Sequence, residues 1–142
     1  MKVYIASDHA GFETKEAIKR HFSDKFEWVD LGTHFSESVD YPDYAHPLAE
    51  AVAKSPEARA VLLCGTGNGV AMTANKHADV RAALCWNTEI AALARQHNNA
   101  NVVVLPARFI TVEEAFAIVD TFFNTPFEGG RHARRVEKIN IP

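Results

Sequence analysis

The sequence predicts an α/β fold, a three-layer αβα sandwich around a five-stranded parallel sheet, with residues 1–142 forming one domain. Three observations carry this. Strand-like and helix-like segments alternate five times with short connections, as parallel strands joined by crossover helices do. The run Val61-Leu62-Leu63 is apolar at every position, which is how a strand buried on both faces reads. With 47% apolar and 23% charged residues in 142, the chain has the make-up of one globular domain able to bury a core.

Each element has a local reason. Val3–Ala6 reads as the first strand and closes on the polar pair Asp8-His9. Gly11 and Phe12 lead into a helix to about Phe22, with Ile18 and Phe22 on one face and Glu16 and Arg20 spaced for an exposed ion pair. Phe26–Leu31 is the second strand, closed by Gly32-Thr33. A polar loop, His34 to Asp43, then carries Asp40-Tyr41-Pro42. An alanine-rich helix follows to about Lys54, with Pro47 near its start, where proline is tolerated. Ala60–Leu63 is the third strand, and Val70 to Lys76 reads as a helix of small side chains. Val80–Leu84 is the fourth strand. Thr88 is placed to cap a helix through Gln96, which ends at His97-Asn98-Asn99. Asn101–Leu105 is the fifth strand. Thr111-Val112-Glu113-Glu114 fits a capping box opening a helix through Phe123. Gly129-Gly130 precedes a last helix, about Arg131 to Ile139. No repeat, low-complexity tract or linker interrupts the series.

Composition excludes several functions. A formal net charge of −3 implies no general affinity for nucleic acid. No apolar segment approaches the length needed to span a bilayer. The N-terminus enters a strand pattern directly, without the layout of a signal peptide. Two cysteines without a Cys-x-x-Cys motif point to a reducing, cytoplasmic setting rather than a disulfide framework. The seven histidines show no His-Glu-x-x-His or other tight ligand spacing, so no metal site is expected.

In a Rossmann-like sheet, ligands bind beyond the carboxyl ends of the strands, near a switch in strand order. The residues expected there are Asp8 and His9 after the first strand, Cys64-Gly65-Thr66-Gly67-Asn68-Gly69 after the third, and Arg108 after the fifth. The glycine loop is not a Walker A loop, because the chain has no Gly-Lys pair. It breaks the dinucleotide fingerprint, since its third glycine comes one residue early and Val70 holds the expected place. No arginine closes it, as a cysteine phosphatase would need. Two readings stay open. The loop is either a tight turn for close packing, or a set of free N–H groups aimed at an anion. Cys64 is correspondingly a small core residue, or a thiolate favoured by its place before a helix N-terminus. Cys85 lacks such a loop and reads as core. His97, at a helix C-terminus, is harmless there unless it lies over the same rim. Arg131 and Arg135, four apart, share a helix face that is either solvated or a phosphate fork.

Five blocks now bear comparison with a known family. They are Ser7-Asp8-His9-Ala10-Gly11, Asp40-Tyr41-Pro42, Cys64 to Gly69, Arg95-Gln96-His97-Asn98, and Glu128-Gly129-Gly130-Arg131-His132 followed by Arg135. In this order they resemble the type B ribose-5-phosphate isomerases, whose close relatives act on galactose 6-phosphate and allose 6-phosphate. The resemblance runs from the first strand to the last helix. It implies an aldose–ketose isomerase that needs no cofactor and works through a cis-enediolate. By position, Cys64 matches the base that moves the proton between C2 and C1, and Val70 stands where another branch has a glutamate. His97 matches the residue that opens the furanose ring. Asp8 and Tyr41 match sugar contacts, and Asn98 a further ligand contact. Gly65, Thr66, Gly67, Asn68 and Gly69 match the loop that holds the enediolate oxygen, which puts the Thr66 hydroxyl beside Cys64. His9, Arg108, Arg131 and Arg135 match the phosphate-binding set. The resemblance also implies a homodimer with each site built from both subunits. Two other expectations compete with ribose 5-phosphate isomerisation: the same chemistry on a six-carbon sugar phosphate, and a non-catalytic sugar-phosphate sensor.

Overall fold

The computed structural model describes residues 1–142. Its order is β1 (Lys2–Ser7), α1 (Phe12–His21), β2 (Glu27–Asp30), α2 (Pro42–Ala53), β3 (Ala60–Cys64), α3 (Asn68–Ala74), β4 (Ala82–Leu84), α4 (Thr88–Asn98), β5 (Val102–Pro106), α5 (Val112–Asn124) and α6 (Arg131–Glu137). All four strand pairings are parallel, in the order β2-β1-β3-β5-β4. Every residue of β3 and β5 is buried, because both lie inside the sheet with helices on either face. Alternation sorts their side chains. Val61, Leu63, Val103 and Leu105 pack with Ile18, Ile118 and Phe122 on the α1/α4/α5 face. Leu62, Cys64, Val102 and Val104 pack with Leu48, Val52 and Val70 on the α2/α3 face. The chain leaves β1 toward β2 and later returns to place β3 on β1's other side. The carboxyl ends of β1 and β3 therefore flank the switch in strand order.

Several boundaries differ from the sequence reading, each for a physical reason. The helix of α2 starts at Pro42, so Pro47, itself exposed, lies in its interior, where it supplies no N–H to the helix. The helix after the glycine loop starts at Asn68, because Gly67 (φ +78°) makes the turn and Asn68 and Gly69 are already helical. Val80 and Arg81 are not in β4. There the Asn101 side chain accepts from Arg81 N–H (2.8 Å) and donates to Asp79 O (2.8 Å), while the Arg81 carbonyl still accepts from Asn101 N–H (3.0 Å). Asn87, not Thr88, caps α4, its side chain accepting from Ile90 N–H at 2.9 Å. The capping box of Thr111 and Glu114 is formed in both directions. The last helix stops at Glu137.

Glu16 pairs not with Arg20 but with Lys15 (2.9 Å) and Lys19 (3.2 Å). Both lysines also reach Asp30 at the end of β2, at 2.6 and 2.7 Å. Lys15 is fully buried, so its charge needs these partners. Burial alone would raise the Asp30 carboxyl, but hydrogen bonds from Lys15, Lys19 and the Gly32 N–H together hold it below its ordinary value. A lowered folded value means the stabilisation is present above the ordinary carboxylate range and is lost as pH falls through the folded value. Asp30→Asn should therefore cost about 3 kcal/mol at neutral pH, the low end for breaking a buried pair because Glu16 remains. Thermal melts from about pH 6 to about pH 3 should show a smaller acid-induced drop in Tm for the variant than for the wild type. Parallel Tm curves would show that Asp30 is not the titrating partner.

Candidate active site

The carboxyl ends of β1, β3 and β5 bring one group of predicted residues together. Asp8, 7% exposed, follows β1; its Oδ1 accepts from Ala10 N–H (2.9 Å) and Gly11 N–H (3.2 Å), capping the 3₁₀ turn His9–Gly11. Its Oδ2 is left for other partners. Val39 N–H donates to His9 Nδ1 at 3.2 Å. Nδ1 is thus the acceptor, and the neutral ring carries its proton on Nε2, where it can donate. The same bond ties the loop ahead of Tyr41 to the end of β1.

Cys64 is the last residue of β3 and is 4% exposed. Its side chain belongs to the face covered by α2 and α3. Its carbonyl accepts from Ala107 N–H (2.9 Å), and the Gly65 carbonyl accepts from Arg108 N–H (3.0 Å). These bonds lay the exposed Arg108 side chain over Gly65, where an added Cβ would stand 3.3 Å from its Cδ and Nη1. The Thr66 hydroxyl oxygen accepts from Asn68 N–H at 3.2 Å, so its own hydrogen remains free to donate.

The two later glycines serve different ends. At Gly67 the backbone is left-handed and a Cβ would fall 2.4 Å from Leu84 Cδ1, inside the core. At Gly69 a Cβ would fall 2.6 Å from the ring of Tyr41, which is itself 41% exposed. Gly67→Ala should therefore lower stability by roughly 2–4 kcal/mol. Gly69→Ala should leave Tm nearly unchanged but push Tyr41 aside, raising KM about tenfold if that ring contacts substrate. Equal Tm losses in the two variants would refute the distinction.

His97, Asn98, Arg131 and Arg135 lie elsewhere. Helix α4 starts beyond the carboxyl end of β4 and runs back to the amino end of β5. His97 and Asn98, in its last turn, are therefore at the opposite end of the sheet from Cys64. Helix α6 packs on α4, and His97, Asn98, His132 and Arg135 line a recess of about 320 Å³. A larger cavity, about 550 Å³, runs between Asn75–His77, the β4 edge and Ile139–Ile141, not over the glycine loop. Within one chain the expected site is thus in two parts.

The amino-end part holds two residues that the sequence reading did not assign. The His132 ring stacks on His97, with centroids 4.3 Å apart and planes 12° from parallel. Glu128 Oε1 lies 3.7 Å from His132 Nε2. The spacing of Glu128 and His132, four apart across the start of α6, was the available signal. Their ligand atoms and that of His97 lie within 4.8 Å of one another. The nearly parallel rings send their lone pairs side by side, however, not toward one point as a chelate requires.

A family model described as ribose/galactose isomerase matches residues 3–139. This chain belongs to that family. It is 42% identical to the ribose-5-phosphate isomerase B of Escherichia coli strain K12, over 97% of this chain and 93% of that one. The crystal structure of a ribose 5-phosphate isomerase from Thermotoga maritima superposes with a TM-score of 0.94 at 52% identity, covering 97% of this chain and 96% of that one. The ribose-5-phosphate isomerase B of Mycoplasma genitalium, solved with ribulose-5-phosphate bound, superposes with a TM-score of 0.94 at 48% identity, covering 97% and 93%. Like other members of the ribose/galactose isomerase family, this chain is an enzyme, and its reaction is an isomerisation. No helix is long and apolar enough to cross a membrane.

Proposed function

We propose that this chain interconverts D-ribose 5-phosphate and D-ribulose 5-phosphate through a cis-enediolate, in a homodimer whose sites are each shared by two subunits. The observation that carries the substrate is ribulose-5-phosphate bound in the Mycoplasma genitalium relative, at 48% identity. Cys64 as thiolate takes the proton from C2 of the open-chain aldose and returns it to C1. The charge left by the first transfer spreads over O1 and O2. Free N–H groups of Gly65 to Gly69 and the Thr66 hydroxyl oppose that charge where it develops. The Asp8 carboxylate and the Tyr41 hydroxyl hold sugar hydroxyls. His97 moves the proton that opens the furanose, and Asn98 fixes the sugar beside it. His9, donating from Nε2, joins Arg108, Arg131 and Arg135 on the phosphate, whose binding positions the reacting carbons.

Support for the shared site comes from the division of these residues between opposite ends of one sheet. Two copies packed side by side with their sheets reversed would set His97, Asn98, Arg131 and Arg135 of one beside Cys64 and Asp8 of the other. The two free cysteines suit a reducing compartment, and we place the enzyme in the cytoplasm. Incubation with ribose 5-phosphate in heavy water tests the reaction. Ribulose 5-phosphate should form, and deuterium entering the sugar would report exchange at the base. Binding without product would identify a sensor instead, and faster turnover of allose 6-phosphate or galactose 6-phosphate would reassign the substrate.

A further inference from the structure

We propose that His132 is a positioning residue for His97, holding its ring by face-to-face stacking so that it meets the furanose at a fixed angle. The inference rests on the reading of His97 as the ring-opening residue. Three observations carry it. The ring centroids lie 4.3 Å apart and the planes 12° from parallel, so His132 stacks, offset, on one face of His97. His132 is itself 8% exposed, and its backbone N–H donates to Gly129 O at 3.0 Å, fixing the start of α6. Glu128 stands 3.7 Å from its Nε2 and is tied back to α4 by its own N–H on Gln96 O, at 3.1 Å. The stack therefore bridges the last turn of α4 and the first turn of α6. A histidine side chain has two soft torsions, and the stack removes the freedom of both.

The charges around His132 fit this task. Burial, His97, Arg131 and Arg135 all disfavour its protonated form, and only Glu128 favours it. The stacked partner is therefore held toward its neutral form. A neutral aromatic face also tolerates a cation formed on its neighbour.

The test compares ribose 5-phosphate with 4-deoxyribose 5-phosphate, which has no C4 hydroxyl and cannot close a furanose. His132→Ala should lower kcat on ribose 5-phosphate about thirtyfold and leave the open-chain analogue within about twofold of wild type. His132→Phe, which keeps a flat ring without a titratable group, should recover ribose 5-phosphate turnover to within about threefold. Equal losses on both substrates, a rise in KM alone, or no loss would overturn the inference. Should His132→Phe fail to fold, His132→Gln is expected to behave as His132→Ala. His97→Asn on the same pair separates the two levels. If it slows both substrates alike, the ring-opening reading falls and takes this inference with it. If it slows only ribose 5-phosphate while His132→Ala slows neither, the inference alone falls.

Discussion

Cys64→Ala is expected to lower kcat on ribose 5-phosphate by about a thousandfold or more, within the range for loss of a general base. The prediction separates two roles that burial alone does not. Cys64 is 4% exposed and packed on the α2/α3 face, as a core residue would be. It is also the last residue of β3, at the switch in strand order, directly before the glycine loop. A core role predicts a cost of about 1 kcal/mol in stability and no loss of turnover. A base predicts the reverse weighting: turnover and deuterium exchange lost together, with ribulose 5-phosphate still bound within about threefold of wild type. Cys85 supplies the control. Burial pushes its thiol up to about 12, and it has no loop beside it, so Cys85→Ala should leave turnover within about twofold. Activity within tenfold of wild type in Cys64→Ala would remove the mechanism.

The layers of this fold were legible because their physics is local. A run such as Val61-Leu62-Leu63 has no polar side to expose, so it belongs inside a parallel sheet. The Thr111–Glu114 box is written in two residues three apart, and the structure forms it. One boundary that moved depended on a group distant in sequence, and so did one ion pair. The start of β4 is set by Asn101, twenty residues after Arg81. The partners of Glu16 were set by Asp30: Glu16 and Arg20 have ideal helical spacing, but a carboxylate at the end of β2 drew Lys15 and Lys19 together and Glu16 with them. The candidate site divides the same way. Asp8, Cys64 and Arg108 could be placed on one rim because residues that follow parallel strands always face it. His97 could not be assigned to that rim, and helix direction explains why: a crossover helix returns to the amino end of the next strand. Its stacking on His132 joins two helices that sequence periodicity treats separately.

That separation leads to the second large effect. Cys64→Ala and His97→Ala chains, each nearly inactive on ribose 5-phosphate alone, are expected to regain activity when mixed and allowed to exchange subunits. If each site takes its Cys64 from one chain and its His97 from the other, a heterodimer has one site carrying both substitutions and one carrying neither. At equal mixing half the dimers are mixed and half of their sites are whole, so about one quarter of wild-type activity should return. The opposite-end placement of the two residues makes this a demanding test. A site completed within one chain would leave every site damaged and the mixture as inactive as its parts. Cys64→Ala mixed with Asp8→Ala is the matched control, since both residues lie at the carboxyl rim of one chain. That pair damages every site in the mixed dimer and should not recover. Recovery there, or silence in the first mixture, would show that the two-ended arrangement is not how the site is assembled.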